Sequence, residues 1–316
     1  MTEDRSRRGA SSTSRPRPSR PSPRSGTASF TSRSAGRPPG LGAGELRDLA
    51  DRHGIAPRRS LGQNFLLDPN VARAIVRDAD IGAGDRVIEI GAGLGSLTVA
   101  LDATGADVVA VEVDPALVSA LNDVLEGHPR VRVVRADAMR LDWDAVLGPG
   151  HDPWILCANL PYNIATPLVL DVLARVPRVV RSVVMMQREV GERLAARPGD
   201  DAYGAVSVRV AYRATASTVR RVPPEVFWPR PKVESVVVRL DRLGAPPVDV
   251  DEDRLWRVLD EAFAQRRKTM RNALRRLGLE PAEADAALAA SGVAASARPE
   301  ELSLDDFARV ASVIPA

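Results

Sequence analysis

The stretch from Val87 to Thr98 decides the fold, and it reads Val-Ile-Glu-Ile-Gly-Ala-Gly-Leu-Gly-Ser-Leu-Thr. An apolar strand is followed by glycines at 91, 93 and 95 and then by a helical segment. Glycines at such a turn allow a tight bend and let a ligand approach the bare backbone. A nicotinamide-type fingerprint needs its third glycine at position 96, which is Ser96 here. The turn therefore predicts either another kind of nucleotide site or an ordinary strand-to-helix turn of an α/β protein.

The pattern Glu-x-Gly-x-Gly-x-Gly that starts at Glu89 resembles the first motif of S-adenosylmethionine-dependent methyltransferases. Two carboxylates downstream suit the same cofactor. Glu112 ends the next predicted strand, where an acidic side chain can accept both ribose hydroxyls. Asp137 follows the third strand and can accept a hydrogen bond from an adenine amino group. Because open parallel sheets bind ligands at the carboxyl ends of their strands, these features predict one adenosyl site.

Strands and helices alternate from about residue 43 to residue 240, which predicts a parallel sheet covered on both faces. Only helical periods follow residue 250. We therefore expect an α/β, Rossmann-like methyltransferase domain over 43–240, a linker over 241–250 and a small all-helical domain over 251–316. The predicted strands are 85–90, 108–113, 131–136, 153–160, 181–187 and 233–240.

Residues 1–42 form a tail that we expect to be disordered. Its first 40 residues contain nine Arg, ten Ser and six Pro but only two acidic residues, a net charge of +7 against +3 for the whole chain. Such a segment buries too little apolar area to offset the entropy of ordering. The composition also suits an organellar transit peptide, but the prolines argue against the amphipathic helix of such peptides.

Composition excludes several classes of protein. No apolar run approaches the roughly 18 residues of a membrane helix, so an integral membrane protein is excluded. The single cysteine, Cys157, excludes a disulfide framework and a cysteine-based zinc site. The three histidines lack metal-ligand spacing. We expect a cytoplasmic monomer without a metal.

The tetrapeptide Asn159-Leu-Pro-Tyr162 carries the predicted chemistry. Pro161 favours an extended Leu160, whose carbonyl can then face the cleft beside the side-chain carbonyl of Asn159. Two such acceptors can hold both hydrogens of an exocyclic amine and direct its lone pair towards a methyl donor. Tyr162 offers a flat surface for an extruded base. The tetrapeptide resembles the Asn/Asp-Pro-Pro-Tyr signature of enzymes that methylate exocyclic amines of bases, but by itself leaves a small-molecule methyltransferase open.

Five segments follow one another between about residue 45 and the C-terminus: RSLGQNFLLD at 59–68, NLPYNI at 159–164, MMQREV at 185–190, FWPRPKVESVVVRL at 227–240 and FAQRRKTMRNAL at 263–274. Together and in this order they resemble the family of small-subunit ribosomal RNA adenine N6,N6-dimethyltransferases. The resemblance implies S-adenosylmethionine-dependent dimethylation of two adjacent adenosines in the 3′-terminal hairpin loop of 16S rRNA, on an immature small ribosomal subunit. Ser60, Glu234 and Met270 depart from the usual pattern without touching a catalytic position.

The resemblance also implies residue roles. Phe227 would stack on the target base opposite Tyr162, although the pair Phe227-Trp228 alone favours a buried core, because aromatic residues are more often buried. Asn64 would contact the cofactor, although alone it suits a turn cap. The full set of cofactor contacts that the resemblance implies is Asn64, Leu66, Gly91, Gly93, Glu112, Asp137 and Asn159.

Basic residues crowd positions 266–276 in an otherwise acidic C-terminal region, where residues 241–316 hold 11 basic and 14 acidic side chains. On one continuous helix Arg267, Arg271 and Arg275 would share a face, which Lys268 extends. We expect Arg267, Lys268 and Arg271 to contact RNA phosphates, although a solvated helix face is the alternative.

Two other functions stay open. One is a 23S rRNA adenine N6-methyltransferase of the resistance type, which the complete helical domain disfavours. The other is a non-catalytic ribosome-assembly or transcription factor, which the intact Asn159, Pro161 and Tyr162 disfavour.

Overall fold

The computed structural model describes residues 40–58 and 62–315, and the predicted tail up to residue 39 lies outside them. Helix α1 (Ala43–Arg52) precedes the short strand β1 (Phe65–Leu66) and helix α2 (Pro69–Asp78). The Asp68 side chain accepts a hydrogen bond from the Asn70 backbone amide and caps α2, with Pro69 in its first turn. None of the described helices is long and apolar enough to cross a membrane.

Parallel strands of the sheet alternate with helices, as predicted. In chain order these elements are β2 (Arg86–Ile90), α3 (Ser96–Asp102), β3 (Asp107–Glu112), α4 (Pro115–Val124), β4 (Val131–Arg135), α5 (Trp143–Leu147), β5 (Trp154–Asn159), α6 (Ala165–Arg175) and β6 (Val179–Gln187). Helices α7 (Arg188–Ala195) and α8 (Ala205–Ala211) lead to β7 (Ala214–Val222), and β8 (Phe227–Trp228) precedes β9 (Ser235–Arg242).

Among the described residues, seven strands form one sheet in the order β4-β3-β2-β5-β6-β9-β7. The sheet is mixed, whereas the sequence predicted a parallel one: β4, β3, β2, β5 and β6 are parallel, but β9 runs antiparallel to both β6 and β7. Strand β7 has no counterpart among the predicted strands, because it lies at an edge and carries many exposed polar side chains. Strand β9 also extends to Arg242, two residues into the predicted linker.

The chain reverses its direction of travel across the sheet between β2 and β5. Strands β3 and β4 lie to one side of β2, whereas β5 and β6 lie to the other. A ligand crevice is expected outside the carboxyl ends of strands at such a switch point. Residues Gly91, Glu112 and Asn159 stand at the carboxyl ends of β2, β3 and β5.

Helices fill the C-terminal region, as predicted: α9 (Glu252–Ala264), α10 (Met270–Arg276), α11 (Pro281–Ser291) and α12 (Leu304–Val313). Their core, centred on Phe307, also includes Tyr203, Val208 and Tyr212 from the α8 region. The Tyr203 hydroxyl donates to the Leu302 carbonyl over 2.7 Å. These contacts anchor the helices on the preceding domain, and the predicted boundary at 241–250 stays a prediction.

Candidate active site

A cavity of about 320 Å³ opens at the switch point of the sheet, within the size range of small-ligand sites. The structure brings most of the predicted site residues together around it. These lining residues are Asn64, Leu66, Gly91, Gly93, Glu112, Asp137, Asn159, Leu160, Pro161 and Tyr162.

The glycine-rich turn forms one wall of this cavity. Gly91 and Gly93 have φ angles of +74° and +57°, which disfavour any residue with a Cβ. A Cβ on Gly93 would lie 3.1 Å from Cδ1 of Phe65, and one on Gly91 would lie 3.2 Å from Cδ of Pro161. The two glycines thus keep the wall bare and let β1 and the Asn159–Tyr162 segment approach it.

Glu112 is buried beside the glycine turn, with its carboxylate held by the backbone. Its Oε2 accepts from the Gly93 amide at 3.0 Å, and its Oε1 accepts from the amides of Val113 and Asp114 at 2.9 and 3.0 Å. Burial raises the pKa of Glu112, and the three amide donors oppose that rise. Oε2 keeps a lone pair for one further donor, which fits a ribose hydroxyl.

Asp137 and two apolar side chains line the cavity beyond Glu112. The Asp137 Oδ1 accepts from the Met139 amide at 3.0 Å, so the carboxylate is fixed by its own turn. Val113 and Met139 also line the cavity but stay 49% and 38% exposed. Exposed apolar side chains around a carboxylate suit the face and the amino group of an adenine ring. The sequence reasoning missed both, since nothing local predicts their exposure.

Asn159 has a defined amide orientation. Its Nδ2 donates to the backbone carbonyl of Asn64 at 3.0 Å. The side-chain Oδ1 is therefore the free end of the amide. Asn64 holds its own side chain against the backbone, donating from Nδ2 to the Gly62 carbonyl at 3.1 Å. The side chain of Asn64 therefore caps its own turn, as the alternative interpretation predicted, and its backbone carbonyl positions Asn159.

Leu160 and Pro161 complete the acceptor arrangement. The Leu160 side chain is buried, and its amide donates to the Met185 carbonyl at 3.0 Å. No described group donates to the Leu160 carbonyl oxygen. Pro161 seats its ring against Gly91. The tetrapeptide therefore offers two neutral acceptors, the Asn159 Oδ1 and the Leu160 carbonyl.

Tyr162 is half-buried at the cavity and tethered through its hydroxyl. That hydroxyl lies 3.0 Å from the Oγ of Ser235, a fully buried residue at the start of β9. Burial raises the pKa of the Tyr162 phenol, so the ring stays neutral at physiological pH. Ser235 was not among the predicted site residues, because the contact spans 73 positions.

Phe227 lies in the core of the domain and not in the cavity lining. It is only 3% exposed and belongs to the core that contains Leu66, Val222 and Val237. The cause is the pairing of β8 with β1, which sets Phe227 opposite Leu66. It is absent from the cavity lining. This placement matches the alternative of a buried core residue, and the stacking of Phe227 on a base opposite Tyr162 stays a prediction.

Glu89 is a cavity-lining residue of the glycine motif that the predicted site set omitted. Its carboxyl group is fully buried and accepts a hydrogen bond from the Thr98 hydroxyl at 2.6 Å. Burial raises its pKa to about 8, and the nearby Glu112 carboxylate adds to the rise. The position of Glu89 at the start of the glycine motif could have marked it as a site residue. Its burial could not be predicted locally, because it depends on the packing of the whole sheet.

The predicted basic helix face in the C-terminal region is wrong in its geometry. Helix α9 ends at Ala264 and α10 starts only at Met270, so Arg267 and Lys268 lie in the intervening turn. Arg271 lies on α10 and forms an ion pair with Asp285 at 2.6 Å. The three residues therefore share no continuous helix face. Thr269, in extended conformation before α10, was the signal for this break.

A family model described as ribosomal RNA adenine dimethylase matches residues 55–315, nearly the whole described chain. This chain belongs to the ribosomal RNA adenine dimethylase family. Its curated relatives include ribosomal RNA small subunit methyltransferase A of Kineococcus radiotolerans, 47% identical over 87% of this chain and 92% of the relative. The protein of the same name from Moorella thermoacetica is 43% identical over 86% of this chain and 97% of the relative.

Solved structures support the fold of this dimethylase family member. A dimethyladenosine transferase from Plasmodium falciparum has a TM-score of 0.64 at 25% identity, covering 78% of this chain and 95% of that chain. The 23S rRNA methyltransferase ErmE has a TM-score of 0.62 at 25% identity, covering 79% of this chain and 98% of that chain. The predicted fold, a Rossmann-like S-adenosylmethionine-dependent methyltransferase with a helical C-terminal region, is confirmed.

Proposed function

We propose that this protein dimethylates the N6 amines of two adjacent adenosines in the 3′-terminal hairpin loop of 16S rRNA, using S-adenosylmethionine. The small-subunit methyltransferase names of its relatives and the adenine dimethylase family support this substrate. The single observation that carries it is the Asn159 amide, whose Nδ2 is fixed by the Asn64 carbonyl so that its Oδ1 is left to accept from a substrate.

The cavity residues fit S-adenosylmethionine by their own chemistry. Glu112 would hold the ribose, Asp137 the adenine amino group, and Val113 and Met139 the adenine faces. Leu66 and the bare backbone at Gly91 and Gly93 would flank the cofactor. When bound, S-adenosylmethionine would supply a methyl group attached to a positively charged sulfur, and the neutral thioether that remains is a good leaving group.

The protein's contribution to transfer is chiefly positioning and charge stabilisation. In the first transfer the Asn159 Oδ1 and the Leu160 carbonyl accept the two hydrogens of the target amine, and one of these hydrogens is released to solvent as a proton once the nitrogen–methyl bond has formed. The monomethylated amine of the second transfer keeps one hydrogen, which one of these acceptors holds until it too is released. An amine held through both hydrogens presents its remaining lone pair in a fixed direction. These acceptors also stabilise the positive charge that develops on the nitrogen as its new bond forms. Tyr162, neutral and tethered to Ser235, provides the surface on which an extruded adenine stacks.

The proposed setting is an immature small ribosomal subunit in the cytoplasm, with the protein acting as a monomer. Arg267 and Lys268 in the α9–α10 turn, with Arg271 on α10, would contact rRNA phosphates there. This surface lies in the helical region, away from the described cavity lining.

The deciding experiment offers labelled S-adenosylmethionine with immature small or large ribosomal subunits. We expect label on two adjacent adenosines of the small-subunit rRNA. Label only in the large subunit would favour the activity named for the ErmE neighbour. Label in neither would contradict the enzymatic proposal and leave a non-catalytic assembly factor.

A further inference from the structure

The loop between β8 and β9 lies at the carboxyl ends of the parallel strands, as does the proposed catalytic site. Register pairs Gln187, the end of β6, with Ser235, the start of β9. The Tyr162 hydroxyl meets the Ser235 Oγ at that point. The residues that immediately precede Ser235 therefore emerge beside the surface on which the target base would stack.

Two residues of this loop project into solvent. Lys232 is exposed, and Val233 has 46% of its surface exposed, unusually much for a large aliphatic side chain. Ser235 is three positions after Lys232, so their Cα atoms lie at most about 11 Å apart. The lysine side chain extends several ångströms further, so its ammonium can reach the backbone of an RNA chain that passes the Tyr162 ring.

Among the described residues, Lys232 is a cation without an ion pair at this end of the sheet, as is Arg221 on β7, whose register partner Val236 follows Ser235. Two arginines near Lys232 are neutralised: Arg230 pairs with Glu225, and Arg188 pairs with Glu234 at 3.0 Å. Within the described ranges, no carboxylate forms an ion pair with Lys232. A neutralised arginine gains little from a phosphate, because it must share or lose its existing partner. An unpaired ammonium carries no such penalty.

A base that leaves its stack forces the flanking backbone to deform, and contacts to flanking phosphates hold that backbone in position. We propose that Lys232 and Val233 form a docking surface for the nucleotide that flanks the target adenosine. The Lys232 ammonium binds the phosphate of that nucleotide, and Val233 packs against its sugar. This inference rests on the proposed function and places a substrate contact on the methyltransferase domain, outside the predicted patch at Arg267, Lys268 and Arg271.

The test compares Lys232→Gln with the matched control Arg77→Gln. Arg77 is an exposed cation near the end of α2. Asp80, three positions further on, forms an ion pair with Arg181 near the start of β6, so Arg77 lies towards the amino ends of the parallel strands and away from Lys232. Binding to immature small ribosomal subunits is measured over a salt series. We expect Lys232→Gln to weaken binding several-fold and to reduce the log–log salt slope by about one, as for one lost phosphate contact. Arg77→Gln should leave both unchanged.

Three outcomes discriminate. A Lys232→Gln slope equal to that of wild type would overturn the phosphate contact. Weaker binding to the particle but unchanged binding to protein-free 16S rRNA would also overturn it, in favour of a ribosomal protein as the partner. A Val233→Ser variant should raise KM for the particle without changing the salt slope, and unchanged KM would overturn the packing contact. Wild-type labelling of small subunits, measured first, separates these results from failure of the proposed function, and unchanged S-adenosylmethionine affinity shows that the variants are folded.

Discussion

The side chain of Asn159 is held by the backbone carbonyl of Asn64, 95 positions earlier in the chain, through a hydrogen bond of 3.0 Å. This contact makes the amide asymmetric, because it occupies the donor end and leaves the acceptor end for a substrate. An asparagine at this position therefore differs in function from an aspartate of the same shape, which has no hydrogen to donate.

Replacement of Asn159 by Ala should separate chemistry from cofactor binding. We expect S-adenosylmethionine affinity to change little, while the rate of methyl transfer falls by about 100-fold, as for other pre-organised polar groups that stabilise developing charge. Single-turnover transfer to immature subunits and calorimetric titration of the cofactor measure the two effects. Asn159→Asp is the matched variant and should also lose rate, since its carboxylate repels the Asn64 carbonyl. A wild-type rate in Asn159→Ala would refute the role of this amide.

Replacement of Glu112 by Gln should act mainly on the cofactor. Glutamine keeps the length of the side chain but turns one acceptor oxygen into a donor that faces backbone amides. Hydrogen bonds to a charged group contribute about 1.5–3 kcal/mol, so we expect the Kd for S-adenosylmethionine to rise by roughly 10- to 100-fold. The rate at saturating cofactor should fall much less. An unchanged Kd would show that this carboxylate does not hold the ribose.

Ser235 and Tyr162 should behave as one unit in a double-mutant cycle. Ser235→Ala and Tyr162→Phe each remove one hydroxyl of the same contact, and each should lower kcat by about five-fold, near 1 kcal/mol. The double variant should lose no more than either single variant, because the contact is already absent. Additive losses in kcat would show that the two hydroxyls act separately.

Glu89 should make stability depend on pH. Its pKa is raised from 4.5 to about 8 in the folded protein, so the folded state retains a proton that the unfolded state releases. The free energy of unfolding should therefore decline as pH rises from about 4.5 towards 8 and level off above that range. Denaturant titrations of wild type and Glu89→Gln across this range measure the difference. An identical pH dependence in both proteins would contradict the buried, protonated carboxyl.

The turn before α10 predicts unequal effects within the basic patch. Arg267→Ala and Lys268→Ala should each weaken binding to immature subunits and flatten its salt dependence. Arg271→Ala should have a smaller effect on the slope, because its guanidinium is already paired with Asp285. Filter binding over a salt series ranks the three variants. Equal slopes in all three and in wild type would remove this patch from the RNA interface.

Local sequence patterns were sufficient to predict the site residues that lie at the carboxyl ends of the parallel strands. Gly91, Glu112 and Asn159 each follow or end an apolar strand, and parallel strands necessarily place those ends along one edge. Antiparallel register has no such local signature. The Ser235–Tyr162 contact, the edge strand β7 and the burial of Phe227 all depend on it, and the sequence reasoning missed the first two and left the third as an alternative.

The pairing of Phe65 and Leu66 with Phe227 and Trp228 has a consequence for biosynthesis. These two short strands come from opposite ends of the methyltransferase domain, yet β1 forms part of the cavity lining. During translation, the glycine turn and the Asn159 segment leave the ribosome long before the partner of β1 does. The nascent chain therefore cannot complete its cofactor site until it has been synthesised past Trp228, so an enzyme that modifies ribosomal RNA becomes competent only late in its own synthesis.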